Sequence, residues 1–373
     1  MTATPEPRPA TDASGVAPGQ VAGEYPGDVR DLLAGVDIGG STIAVLVTDL
    51  EGRPMARVVV ETIRDQPQQA AEQVAAAIRA ACATAALDPR RLVGVGVGVP
   101  GRIDPEEGVV SLALNLGWHD VPLRAGLESL LGIPCAVAND VRVAAAGLVE
   151  RRVLGDVDDL IYLSIGTGIA AGIVLDGKLH TGIRHLAGEI GHVVMRDDGP
   201  ICTCGLRGCL ETFAAGPQIA QRAVAALATG EASTLAGIAA IRPITAVDVY
   251  AAARAGDALA CRIADQAGRA VARVIYQLAL GLDVERVCIG GGVSGAGEAF
   301  FAPVRRELDR LRSQSPLAAE ALPNDMVQLM PPGSDAGVWG ALTLARRERT
   351  QRSVRKASRK EVSDRSMSSS LTS

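Results

Sequence analysis

The chain has 373 residues, 48% of them hydrophobic but only 2% aromatic, which suggests two globular domains with cores of Ala, Val, Leu and Ile rather than rings. Basic and acidic residues nearly balance, 37 against 42 for a net charge of −5, so there is no general attraction for nucleic acid or an anionic membrane. No run approaches the roughly 18 apolar residues of a membrane helix, and no basic patch leads into an apolar stretch at the N-terminus, so a cytoplasmic protein without a secretory signal is expected.

Residues 1–29 are rich in Pro, Ala and Gly without periodicity and read as a disordered tail. Leu33–Asp37 and Ile43–Thr48 read as strands joined through Gly39-Gly40, and residues 68–86 as an Ala-rich helix ending before Asp88-Pro89. The apolar stretch Leu92–Val99, broken by Gly94, Gly96 and Gly98, reads as a buried strand; Pro134–Ala138 is another, followed by an Ala-rich helix from Val141. The pattern then restarts. Ile161–Ser164 is a strand, Gly166-Thr167-Gly168 a loop, Ala171–Leu175 a returning strand and Asp176-Gly177 a hairpin turn. Asp37 to Asp49 and Ser164 to Asp176 share one offset, which suggests a duplicated fold in which each half offers a Gly-rich loop to a central cleft; two unrelated hairpins would give the same spacing. A late strand, Val287–Ile289, enters Gly290-Gly291-Gly292 before a helix through Phe300 to Leu311. The last 28 residues carry nine Lys/Arg against three acids, and with no aromatic interleaved they read as a solvated basic tail.

Only three lysines are present, Lys178, Lys356 and Lys360, and no G-x-x-x-x-G-K-[ST] run exists, so phosphate must be held by backbone amides, hydroxyls, arginines or a metal. Asp37-Ile38-Gly39-Gly40-Ser41-Thr42 sets a carboxylate at a strand end, suited to Mg²⁺, before glycines whose amides can form an anion-binding concavity. Ser164 to Gly168 is the second such loop, and Gly290 to Gly292 a turn that can admit a planar base against backbone. Asn139-Asp140 follows a strand and opens a helix; from these residues alone a helix cap is the stronger reading and a proton-accepting carboxylate the weaker. His192, Cys202, Cys204 and Cys209 make a complete tetrahedral zinc shell of structural type, with Gly205 and Gly208 allowing the turns. Glu189 lies three residues before His192, so one helical turn puts both on one face. Cys82, Cys135, Cys261 and Cys288 stand singly among apolar residues and read as small hydrophobes.

Taken together, these segments resemble the ROK family (repressor, open reading frame, kinase) of bacterial sugar kinases and regulators. The matching stretches also include Gly98-Val99-Pro100-Gly101, Asn115-Leu116-Gly117-Trp118 and Asp335-Ala336-Gly337-Val338-Trp339-Gly340-Ala341. The resemblance implies an α/β, actin-like sugar-kinase (ribonuclease H-like) fold with two domains around an interdomain cleft. Residues 30–144 and a C-terminal helix at 335–347 would form the first domain, residues 145–334 the second, and 348–373 a tail. It implies ATP, Mg²⁺ and structural Zn²⁺, a homodimer, and Asp140 as the base that takes the sugar hydroxyl proton, reversing the cap reading. Asn139, Glu189, His192 and Glu211 would bind the sugar hydroxyls, with Asn115 an addition. Gly39, Gly40, Gly166, Thr167 and Gly168 would cradle the phosphates, and Gly290 to Gly292 with the Asp335–Gly337 turn would flank the nucleoside. Many relatives read Gly-Gly-Thr-Lys where this chain has Gly40-Ser41-Thr42, so a positive charge near the phosphates is lost. A glucokinase is the expectation, with N-acetylmannosamine, N-acetylglucosamine, fructose or an aminodeoxyglucose such as kanosamine as other acceptors. The family's sugar-sensing repressors form the competing class; the short, Pro- and Gly-rich segment before Asp37 does not read as their helix-turn-helix.

Overall fold

In the structure, a computed structural model, residues 31–331 and 333–352 are described; segment 1–29 and most of the tail, 353–373, lie outside them. The chain divides into two compact units, one of residues up to Ala138 together with those from Pro331 onward, the other Asn139–Met330.

In the first unit, strands β1 (Leu32–Ile38), β2 (Thr42–Asp49) and β3 (Pro54–Glu61) form an antiparallel meander. Helix α1 (Ala70–Thr84) leads to β4 (Leu92–Val99), which pairs parallel to β1. A small sheet of β5 (Arg102–Asp104), β6 (Val109–Ala113) and β7 (Trp118–Val121) follows, then α2 (Leu123–Leu131) and β8 (Cys135–Asn139), giving the main sheet the order β3-β2-β1-β4-β8. Side chains alternate across a strand. Leu32, Ala34 and Val36 of β1 therefore join one core with Val74 and Ile78 of α1, while Leu33 joins a second with Val338, Leu342 and Ala345.

The last three residues belong to a helix over 336–352, here α11, for which the sheet is carved by glycine. A Cβ on Gly96 would sit 1.8 Å from the carbonyl oxygen of Ala341, and one on Gly35 would sit 2.3 Å from that of Val338. The glycines of the Leu92–Val99 run are thus where a helix backbone lies directly on the sheet. The helix expected to end at 347 continues to 352 because Glu348 pairs with Arg352 one turn on, and Arg352 also reaches Glu128 of α2.

In the second unit, α3 (Asp140–Glu150) precedes an antiparallel set of β9 (Leu160–Ile165), β10 (Ile169–Leu175) and β11 (Lys178–His180). Helices α4 (Glu211–Ala214), α5 (Gly216–Ala228), α6 (Leu235–Ala239), α7 (Ala246–Arg254) and α8 (Ala258–Leu282) follow. Strand β12 (Arg286–Gly290), helices α9 (Glu298–Gln314) and α10 (Pro316–Ala321), and β13 (Val327–Leu329) complete it. The sheet order, β11-β10-β9-β12-β13, repeats the first: a meander, then strands added beside its first member. The sequence reading ends the first domain after Ala144, but α3 goes with the second unit: a Cβ on Gly172 of β10 would meet Ala145 Cβ at 2.5 Å, so the helix is seated on that sheet. No helix among the described residues is long and apolar enough to cross a membrane.

Candidate active site

Two groups of the expected residues assemble, one in each unit. In the first, the β1–β2 turn closes when the Gly39 amide donates to Thr42 O at 2.7 Å. Thr62, which follows β3, braces this turn from outside: its hydroxyl donates to Gly39 O at 2.9 Å and its amide to Ser41 O at 2.9 Å. Ser41 and Thr42 are exposed. The Asn115 amide lies beside Gly40, where a Cβ would come within 3.5 Å of its Nδ2. The carboxylate of Asp37 rests on Gly337, where a Cβ would meet Oδ2 at 2.1 Å, so only glycine fits in the first turn of α11. The Asp335–Gly337 turn is thus the opening of a helix, with Asp335 held by Arg57 at 3.0 Å. Thr62 was missed in the sequence, since a lone Thr after a strand gives no signal.

The second unit opens where β8 runs straight into α3. Asn139 caps the helix, accepting from the amides of Val141 at 3.1 Å and Arg142 at 3.3 Å. Asp140 is therefore the first helical residue and is not needed as the cap; its Oδ1 accepts from Val141 N at 2.9 Å. Burial pushes its carboxyl up to about 6 even though the Val141 amide favours the charged form. Two residues on, Arg142 donates to the carbonyls of His185 at 2.6 Å and Ala187 at 3.3 Å, tying α3 to the segment that enters Gly188-Glu189.

That segment is pressed onto β10. Gly188, at φ +96, would bring a Cβ within 1.9 Å of Ala171 O, and Gly191 one within 2.4 Å of Ile169 O. Residues Ile190–His192 form a single 3₁₀ turn, which sets Glu189 and His192 one turn apart. The chain then leaves in a loop closed by pairing Val194 with Cys209, and Leu210 N donates back to Val193 O at 2.9 Å. Glu211 thereby emerges next to His192 and turns to the second Gly-rich loop: its Oε2 accepts from Ile169 N at 3.1 Å and lies 2.9 Å from where a Cβ on Gly168 would be.

Around that loop a backbone platform forms. Gly216 N, opening α5, donates to Gly166 O at 2.8 Å, and Val293 N donates to Ile165 O at 2.9 Å. Gly291, at φ +87, would place a Cβ 2.5 Å from Ile165 O, whereas a Cβ on Gly292 would meet nothing within 4 Å. Gly166, Thr167 and Gly168 therefore lie beside Gly290, Gly291 and Gly292, as parallel pairing of β9 with β12 requires. Gly216 was not singled out from the sequence, although Gly216-Pro217 after two alanines carries a helix-start signal.

Ligand atoms of His192, Cys202, Cys204 and Cys209 all lie within 4.8 Å of one another. Cys202 Sγ is 3.5 Å from His192 Nδ1, and Cys204 Sγ is 3.6 Å from Cys209 Sγ. An ion ~2.3 Å from each sulfur, tetrahedrally bound, puts the sulfurs ~3.8 Å apart, so the donor set and spacing fit zinc. The three sulfurs and one nitrogen leave no open position, so a bound ion has a structural role.

The paired sheets and Gly-rich turns are those of an actin-like sugar-kinase fold. A sequence profile of the ROK family matches residues 33–348, and the chain belongs to that family. It is similar to a glucokinase of Halalkalibacterium halodurans, 32% identical over 322 residues, covering 84% of this chain and 94% of the relative. An N-acetylmannosamine kinase of Citrobacter koseri is 32% identical over 314 residues, covering 83% of this chain and 97% of that protein. Among solved structures, a ROK family glucokinase from Streptomyces griseus in complex with glucose and AMPPNP matches with a TM-score of 0.65 at 33% identity, covering 85% of this chain and 99% of that one.

Proposed function

We propose that this ROK sugar kinase transfers the γ-phosphoryl group of ATP to a hexose hydroxyl, O6 of glucose, with Asp140 as general base. The observation that carries this is the carboxyl of Asp140, half-buried at the opening of α3 and relieved of capping by Asn139. A carboxyl pushed up to about 6 is still ionised at neutral pH, yet basic enough to accept a proton as the hydroxyl oxygen attacks phosphorus. As in other kinases, positioning and electrostatics supply most of the acceleration.

Asn139, Glu189, His192 and Glu211 hydrogen-bond the sugar hydroxyls in this reading. Arg142 holds the backbone leading into Glu189, and the Cys202–Cys209 loop returns Glu211 beside His192. His192, Cys202, Cys204 and Cys209 would hold zinc, which would supply rigidity; with Nδ1 of His192 turned toward the sulfurs, Nε2 would be left for the sugar. Gly166, Thr167 and Gly168 present backbone to the phosphates, and the open face of Gly292, with Gly290 and Gly291, suits the nucleoside. On the first unit, Gly39, Gly40, Ser41 and Thr42 would meet phosphate, with Asn115 at their side. Asp37 would hold Mg²⁺, which neutralises charge developing on the phosphates, and Gly337 leaves the room that carboxylate occupies. No lysine stands in this turn, so backbone amides and hydroxyls carry more of the binding.

Glucose rests on the glucokinase relatives; the similarity to an N-acetylmannosamine kinase makes amino sugars the second reading. ADP release by the purified chain across glucose, fructose, N-acetylmannosamine, N-acetylglucosamine and an aminodeoxyglucose tests it. Turnover highest with glucose is expected. Turnover highest with an amino sugar would move the substrate to that class, and sugar-dependent DNA binding without ADP release would replace the kinase with a repressor.

A further inference from the structure

Helices α8 and α9 pack closely because Gly268 admits Pro303; a Cβ on Gly268 would lie 2.4 Å from Pro303 Cβ. Beside this contact two stripes face one another. Asp265, Arg269 and Arg273 recur every four residues along α8, and Arg306, Glu307 and Arg310 occupy one face of α9, so helical periodicity brings them together. They border a groove of about 340 Å³.

The charges in this groove are unequal. Four guanidiniums face two carboxylates, leaving two positive charges in excess. Glu307, its side chain 4% exposed, accepts from Arg310 at 2.7 Å and from Arg273 Nε at 3.3 Å. The Arg310 guanidinium, and then that of Arg273, holds its carboxyl below the usual range, so Glu307 stays ionised and fixes both arginines. Among the described residues Arg273 engages only Nε, which leaves its outer nitrogens for another acceptor. Arg306 pairs with Asp265 through one nitrogen. Arg269 makes no ion pair or hydrogen bond among the described residues.

We infer that this groove binds a phosphorylated small molecule, whose phosphate is gripped by Arg269, Arg273 and Arg306. Guanidinium forks match phosphate oxygens two at a time. A phosphate monoester carries about −1.5 to −2 at neutral pH, equal to the groove's excess. The inference does not depend on which sugar the chain phosphorylates or on the role of Asp140.

The test is titration calorimetry on the whole chain with inorganic phosphate, glycerol phosphate and hexose 6-phosphate, each in the presence and absence of excess AMPPNP. Saturable binding that persists with AMPPNP is expected, weakened about tenfold or more in Arg269→Glu. Arg254→Glu, a change at an exposed arginine on α7, should leave it unaltered. Equal affinities would name free phosphate as the ligand and tighter hexose phosphate a phosphorylated sugar; either supports the site. Absence of saturation at about 10 mM, roughly the weak end of small-ligand affinity, competition by AMPPNP, or binding unchanged in Arg269→Glu would overturn it.

Discussion

Nδ1 of His192 lies 3.5 Å from Sγ of Cys202, at the point where the Glu189–His192 turn meets the cysteine loop. Because Leu210 N returns to Val193 O, an ion held there would order Glu211 as well as His192. Cys204→Ser is therefore expected to release zinc and weaken sugar binding more than it lowers kcat. Metal analysis beside a sugar titration checks this; full sugar affinity in the metal-free protein would break the link.

Asp140→Asn keeps the shape of the side chain and removes the base. Turnover should fall about 10²–10⁴-fold while sugar affinity stays within a few fold. Near-normal kcat would remove Asp140 from the chemistry.

The same substitution should stabilise the fold. A carboxyl whose folded pKa is about 6, above its usual 3.8, is fully tolerated below the lower value and costs stability as pH rises through the higher one. Allowing for water at its partly exposed edge, Asp140→Asn should gain on the order of 2 kcal/mol at pH 7 and nothing at pH 3. Thermal melts at the two pH values measure the difference.

Activity should depend on pH in the opposite sense. The base works ionised, so kcat/KM is expected to be level above about pH 7 and to fall tenfold per unit below about 6. A profile still level at pH 5 would contradict the raised carboxyl.

Gly96→Ala should be far costlier than Gly132→Ala. The first drives a methyl to 1.8 Å from Ala341 O, between two backbones that cannot yield, at about 3 kcal/mol or more. The second meets nothing within 4 Å and costs about 1 kcal/mol for holding alanine at φ +69. Denaturant unfolding of both variants makes the comparison.

Much of this was legible in the residues alone because its causes are local. Alternating apolar side chains and glycine turns marked β1, β2, β9 and β10, and the thiolates of Cys202, Cys204 and Cys209 lie so close in sequence that little beyond the loop is needed to gather them with His192. The Asn139-Asp140 pair announced a helix start. From those residues alone the cap reading fell on the Asp140 carboxylate, whereas Asn139 takes that role, since both side chains can accept amide hydrogens.

Tertiary structure decided what depends on surfaces distant in sequence. It set Asn139 as cap and half-buried the carboxyl of Asp140, seated α3 on Gly172, and tied Arg142 to the carbonyls before Glu189. It also explained Gly35, Gly94 and Gly96, whose missing side chains make sense only once α11 lies across them, and it aligned the arginines of α8 with those of α9. Sequence by itself marked the β1–β2 and β9–β10 hairpins, the glycine turns and a candidate metal-ligand set, because backbone sterics and short-range chemistry act within a few residues. Burial, and the proton affinity that follows from it, belongs to neighbours that only packing supplies.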